Sequence, residues 1–339
     1  KGDYDQLWES IVLLAGREAE RRALLTPSIM PTTTGTSYGL LGVASDGNGN
    51  VAAVGHTGGA SYAQDSANHG ATWAQTTLSA TMQEVYAVAW NGSRFCALGY
   101  NTGTGTVGVV HRQATGAWSA WVAVSGAAYN SKLTAITWTG GAWVAVGENG
   151  KAWYTTSSTP SSGWTEVSTY TGVANDILGI ASDGSVTVAC CSDGGAGDGR
   201  ITHTEDPTAA SAWTVVTLPN IVANINTCFC AAHDNAGRWV FGQDEGYVAV
   251  TDNLTTFTSY LIDSDASDIG AICHTGKHYV ALSTSSSQAA IYVSKDGITW
   301  VGLQNPSATN VKAINAESFC YVAGQIGSDK ALFRSGSLL

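Results

Sequence analysis

The chain has 339 residues, carries a net charge of −11, and only 12% of its residues are charged. That acidic balance excludes the basic stripe that nucleic acid or an anionic membrane surface demands. Twelve Trp and 13 Tyr supply too much apolar bulk for a disordered polymer, and many Gly-rich turns between short apolar runs point to an all-β fold.

From Asp3 to Leu25 the apolar residues Leu7, Trp8, Ile11, Val12, Leu14, Ala15 and Ala19 fall at helical spacing. Asp3 with Gln6 fits a helix start and Thr26-Pro27 its stop, so residues 1–27 are predicted to be a short helical anchor. Leaving Leu7, Trp8, Ile11, Val12 and Leu14 in water would forfeit roughly 1.5–3 kcal/mol each. The stripe is therefore expected to dock, either on the flank of its own domain or on another protein. Its longest apolar run, Ile11 to Ala15, is too short to cross a bilayer, which takes about 20 residues.

Beyond residue 37 the chain repeats itself about every 45 residues. The second strand of each unit is the clearest copy: Asn50-Val-Ala-Ala-Val-Gly55, Arg94-Phe-Cys-Ala-Leu-Gly99, Ala142-Trp-Val-Ala-Val-Gly147, Val186-Thr-Val-Ala-Cys-Cys191, Arg238-Trp-Val-Phe-Gly-Gln243, His278-Tyr-Val-Ala-Leu-Ser283 and Phe319-Cys-Tyr-Val-Ala-Gly324. Another apolar run precedes each copy. Most are joined to it by a tight turn such as Asp46-Gly47, Asn91-Gly92, Gly140-Gly141, Asp183-Gly184, Asp234-Asn235 or Gly276-Lys277. Only Gly, Asn and Asp readily take the positive φ such hairpins need, so these polar residues read as turn formers rather than ligands. A fourth strand opens on one aromatic per unit: Trp73, Trp121, Trp164, Trp213, Phe257 and Trp300. These are expected to be packing anchors.

Seven such units predict a seven-bladed β-propeller over residues 28–339. The last unit stops after its third strand, Ala331-Leu-Phe-Arg-Ser335, so residues 28–37 are expected to supply the closing strand and linker. Ser28-Ile-Met-Pro-Thr-Thr33 is the natural donor, and its Pro31 should place it at an outer edge.

The turn Ser66-Ala-Asn-His-Gly-Ala-Thr-Trp73 resembles the Asp-box of sialidase-like propellers, with Asn68 in place of Asp. Ser294-Lys-Asp-Gly-Ile-Thr-Trp300 keeps the residues but is one shorter, and Thr251-Asp-Asn-Leu-Thr-Thr-Phe257 is a weaker copy. The box specifies architecture rather than chemistry. The short form in a degenerate Gly/Ala/Thr-rich propeller looks like what phage tail and virion proteins carry. That resemblance implies a virion structural or attachment protein, docked to other tail proteins by its N-terminal helix.

Catalytic signals are weak. Sialidases hold a carboxylate with three arginines, whereas strand direction sends Arg94, Arg112, Arg238 and Arg334 to the face carrying the boxes and leaves Arg200 alone on the working face. The seven His, among them His56, His111 and His278, are scattered, and no metal or phosphate motif occurs. The Cys also lack metal-ligand spacing and read as buried thiols. Ser192-Asp-Gly-Gly-Ala-Gly-Asp-Gly199 departs from any standard calcium loop and reads as a hairpin tip. No cofactor and no metal is expected. The face formed by the 2–3 and 4–1 loops carries Tyr100, Asn101, Tyr129, Tyr170 and Tyr260, which suit sugar or protein contacts. The same tyrosines could merely cover sheet edges. The leading expectation is a non-enzymatic virion protein that presents these loops to a host surface or virion partner, without nucleic acid or membrane insertion. One alternative is a bacterial propeller lectin or surface-interaction protein. A second is a degenerate glycosidase using two of Glu148, Asp193, Asp198, Asp244 and Glu245.

Overall fold

The computed structural model describes residues 26–28, 39–57, 59–128, 132–167, 175–192, 199–209, 212–218, 227–283, 291–303, 309–316, 320–326 and 329–334. They contain no α-helix and assemble into four-stranded antiparallel sheets, seven in number. The first holds Leu40–Ser45, Val51–Thr57, Ala60–Ser66 and Ala74–Thr77; the second holds Glu84–Trp90, Arg94–Asn101, Thr106–Gln113 and Val122–Ala128. The third holds Leu133–Trp138, Trp143–Gly147, Ala152–Thr155 and Thr165–Glu166; the fourth, Ile177–Ser182, Thr187–Cys191, Arg200–Thr204 and Thr214–Thr217. Cys228–His233, Trp239–Gln243, Tyr247–Thr251 and Thr258–Leu261 form the fifth, and Ile269–His274, Tyr279–Ser283, Ile291–Ser294 and Trp300–Leu303 the sixth. In the last sheet Thr309–Ala316, Cys320–Ile326 and Asp329–Arg334 are joined at the edge by Thr26–Ser28.

First strands of successive sheets touch in sequence, and the first strand of the last sheet also meets that of the first. The result is a β-propeller-like arrangement whose core lies between sheets. One apolar cluster joins the second and third sheets through Leu98, Val109, Leu133, Trp143 and Trp153, and equivalent clusters fill the other described interfaces up to the sixth sheet. Burying each large side chain contributes about 1.5–3 kcal/mol, and the strand alternation puts one on each side of every sheet.

The edge strand differs from the sequence expectation. Thr26 pairs with Arg334, Pro27 with Phe333 and Ser28 with Leu332, so the donor overlaps the expected Ser28–Thr33 segment only at Ser28. Pro27, expected to end a helix, lies in this strand instead. A proline has no N–H to give a ladder, which an edge position tolerates. The predicted helix with Leu7, Trp8, Ile11, Val12 and Leu14 lies outside the described residues, as do Pro31 and the loop 193–198. Cys96, Cys190, Cys191 and Cys228 are buried thiols, and Cys230 and Cys273 are half-buried. Among the described residues, no helix is long and apolar enough to cross a membrane.

Candidate binding site

The two faces use polar side chains differently. On the face of the 1–2 and 3–4 turns, the box face, the chain consumes them itself. Asp46 accepts from the N–H groups of Asn48 (2.8 Å) and Asn50 (2.9 Å), Asn91 from Arg94 (2.7 Å), Asp183 from Val186 (2.6 Å) and Asp234 from Ala236 (2.7 Å). Thr139 and Thr275 do the same with hydroxyls. The next residue in all six turns, for example Gly92 (φ 89°) or Asn235 (φ 59°), has positive φ.

The 3–4 turns follow suit. Ser66 Oγ accepts from Gly70 N–H (2.9 Å), Asn68 Oδ1 from Thr72 N–H (2.9 Å), and the Trp73 indole donates to the Gly70 carbonyl (3.0 Å). Ser294, Asp296 and Trp300 repeat this circuit, the indole reaching Gly297 O at 2.9 Å. Burial works to raise the Asp296 pKa, but the N–H donors of Thr299 and Ile298 prevail and hold it at about 2. Next to Ser66, Asp65 of the first sheet pairs with Arg112 of the second at 2.8 Å, and the Trp118 indole donates to the same carboxylate at 3.2 Å. The guanidinium also lies 4.7 Å from the Phe95 ring centroid. Trp164 and Trp213 lie within inter-sheet clusters, and Trp73, Trp121, Phe257 and Trp300 pack against one.

On the opposite, loop face, charged groups gather where sheets one to three meet. Each first strand enters through a β-bulge whose extra residue is Leu41, Tyr86, Thr134, Leu178, Phe229 or Gly270 in the first six sheets. All six extra residues are partly exposed. Bulges re-aim side chains and recur next to functional sites. Tyr86, in the second sheet, donates its phenol to Glu84. Lys132 brings its ammonium to the same Glu84 oxygen at 3.6 Å. It also lies 5.3 Å from the Tyr100 centroid and 5.9 Å from that of Tyr86. Glu148 accepts from the Lys132 N–H at 3.3 Å, and its own N–H donates to the Lys132 carbonyl at 2.8 Å. His56 of the first sheet sets its ring edge-on to Tyr86 at 5.9 Å.

Two glycines position these groups. A Cβ on Gly147 would overlap the Lys132 carbonyl, and one on Gly99 would overlap the Glu84 carbonyl. In these two sheets only a bare backbone lets the Glu84 and Lys132 carbonyls lie this close to the end of the second strand. Burial first, then the hydrogen bond to Glu84 and the charges of Glu84 and Glu148, holds the Tyr86 phenol far above its ordinary value. Burial lowers the His56 pKa, opposed by Glu84 and aided by Lys132. The mouth therefore presents neutral rings, two carboxylates and one ammonium.

Of the sequence-predicted contact residues, Tyr100 is corrected: it is 1% exposed, within the cluster between the second and third sheets. It alternates with Cys96 and Leu98, so the pleat sends it inward with them. Asn101 spends its Oδ1 on the N–H groups of Gly103 (2.9 Å) and Thr104 (3.1 Å), closing its own loop. Tyr260 packs partly buried against the cluster of the fifth and sixth sheets. Tyr129 and Tyr170 lie outside the described residues. Glu84, Tyr86 and Lys132 escaped the sequence reading, although Glu84 and Lys132 each stand at the entry of a first strand in a chain poor in charge. Of the carboxylates weighed for a glycosidase, Glu148 stands in the mouth, Asp244 and Glu245 follow the second strand of the fifth sheet, and Asp193 and Asp198 are outside the described residues. Among the described residues, no group of three His, Cys, Asp or Glu could hold a metal ion.

No protein-family model and no curated protein matches the chain. Solved structures do. One described as YCF48 bound to D1 peptide aligns with a TM-score of 0.68 at 16% identity, over 92% of this chain and 97% of that one. YCF48 from Cyanidioschyzon merolae gives 0.64 at 15% identity, over 92% and 98%. The WD40 β-propeller domain of Doa1 gives 0.63 at 12% identity, over 91% and 97%. At these identities the likeness establishes the fold alone, a WD40-like β-propeller.

Proposed function

We propose that this chain is a non-catalytic propeller that binds polypeptide partners on its loop face, with the mouth of sheets one to three as its principal contact. The observation that carries this reading is the placement of Glu84, Lys132 and Glu148. On the box face most Asp, Asn, Ser and Thr side chains cap backbone N–H groups and the exposed Arg238–Asp252 pair is tied to the Asp296 carbonyl, whereas Glu84 and Lys132, about a quarter exposed, stand beside the ring of partly exposed Tyr86. A charged rim around apolar rings is the composition of a binding patch. One similar propeller has been solved with a peptide bound, which is in keeping with the same use here. The test is selection from a random peptide library against the full chain, with every binder re-measured on Glu84→Gln and Tyr86→Ala. Most independent binders should weaken at least tenfold. A set indifferent to both substitutions would sink the reading, and a chain that selects no peptide yet binds on a glycan array would favour a lectin.

Two finer readings accompany it. The seven sheets are read as blades of one closed ring, supported by the pairing of Thr26–Ser28 with the last sheet and by the cyclic contacts of the first strands. Residues 1–25 are read as the dock of a virion attachment protein, supported only by their amphipathic spacing and the short Ser294–Trp300 box. Two truncations separate these. Removing residues 1–25 should abolish incorporation into the particle while leaving stability intact, and normal incorporation would overturn the virion reading. Removing residues 1–28 should expose a bare sheet edge and promote association, and an unchanged, monomeric protein would overturn closure.

A further inference from the structure

We propose that the mouth between the second and third sheets is an ammonium cage, filled in the resting protein by its own Lys132 and able to accept a lysine side chain of a bound polypeptide in its place. This deepens the proposed function and rests on it for the source of the ligand, though not for the chemistry of the cage.

The cage is defined by what already sits in it. The Lys132 ammonium lies 5.3 Å from the Tyr100 centroid and 5.9 Å from that of Tyr86, both within the range of about 6 Å over which a ring quadrupole attracts a cation. Glu84 closes a third side at 3.6 Å. Glu148 adds a second negative charge, near enough to act on the Tyr86 phenol. One carboxylate thus meets the ammonium, and a second, Glu148, is held beside it by the Lys132 backbone N–H at 3.3 Å, so the negative charge around the pocket exceeds what one lysine neutralises.

The walls are more fixed than the occupant. Tyr100 is 1% exposed in the core, and the Gly99 and Gly147 contacts seat the backbones that carry Glu84 and Lys132. The Lys132 side chain is 24% exposed on a flexible four-carbon stem. Its attraction to Glu84 acts near solvent, where such pairs are weak and salt-screened. A competing ammonium delivered by a partner held on the surrounding loops can therefore replace it without dismantling the walls. Lysine fits better than arginine, because a compact point charge matches the space an ammonium now fills.

The test uses the full chain and isothermal titration with Nα-acetyl-lysine amide at matched ionic strength, with Nα-acetyl-norleucine amide as the uncharged control. Lys132→Ala should bind the lysine probe at least tenfold more tightly than the wild type, with no gain for the control. Adding Glu84→Gln should return affinity to within about threefold of the wild type, the loss expected when a charge partner at this distance is removed. Should Lys132→Ala not fold, Lys132→Gln carries the test, since it keeps the stem and removes the charge; a smaller gain of the same selectivity is expected. No gain in the folded variant, or equal gain for norleucine, overturns the cage. Peptide capture on the loop face without any ammonium preference would remove the cage and leave the interaction reading standing. Probe binding by Lys132→Ala without peptide capture by the wild type would do the reverse.

Discussion

The box face and the loop face draw on the same kinds of residue and spend them differently. Asp46, Asn91, Asp183, Asp234 and Asp296 each accept backbone N–H groups within their own turn. Glu84 instead accepts from a side chain of its own strand and attracts an ammonium from the next sheet. The first group makes hairpins, and its loss should cost stability. The second is held by Gly99 and Gly147 at the surface, and its loss should cost binding. An acidic residue in a propeller therefore tells little until its hydrogen-bond partners are known.

The largest expected break lies on the box face. Arg112→Ala leaves Asp65 and the Trp118 indole without their cation and should lower stability in urea by about 3 kcal/mol, the low end for a broken buried pair because Asp65 keeps partial exposure. Peptide binding should be unchanged. Gly147→Ala comes next and crosses the divide: the overlap with the Lys132 carbonyl should cost about 2 kcal/mol as overpacking and also weaken loop-face binders. A Gly147→Ala protein with wild-type stability would mean that the close approach is not enforced.

Asp296→Ala removes the acceptor for Ile298 and Thr299 and should cost about 1 kcal/mol, again without touching binding. The same residue sharpens the pH behaviour. Its folded pKa, about 2, lies below the ordinary 3.8, so the stability it contributes is present above 3.8 and lost as pH falls toward 2. Asp296→Asn should flatten that part of the acid limb.

The smallest effect is a shallow loss that starts at higher pH. His56, His111, His203, His274 and His278 all have pKa values lowered by burial from 6.5, so the unfolded chain takes up protons first and stability declines as pH falls below 6.5. At the alkaline end, burial raises the thiols of Cys96, Cys190, Cys228 and Cys230 above 9.0, so stability declines as pH rises past that value. Melting curves across pH should therefore show a plateau between the two. A maximum near pH 5 would contradict the histidine account.

How much of this could be read from the sequence follows the range of the interactions. The six 1–2 turns were legible because positive φ is a local demand that Gly and Asn meet within one residue, and the strand repeats because alternation is local too. The mouth was not, because Glu84, Lys132 and Glu148 belong to different strand ends and meet only when two sheets pack. Tyr100 was misjudged for a different reason. Its place after Cys96 and Leu98 marks it as inward, although it stands beside the loop that follows Asn101. The Pro27 edge strand sits two residues ahead of the segment expected, since a helix stop and an edge strand share the same proline signal.

The most direct test is hydrogen exchange of the full chain with and without a selected peptide. Slower exchange is predicted at residues 83–86, 101–105 and 132–133, with the box-face turns at 46–50 and 234–238 unaffected. Protection confined to the box-face turns, with the mouth exchanging as in the unbound protein, would contradict the assignment of the binding face.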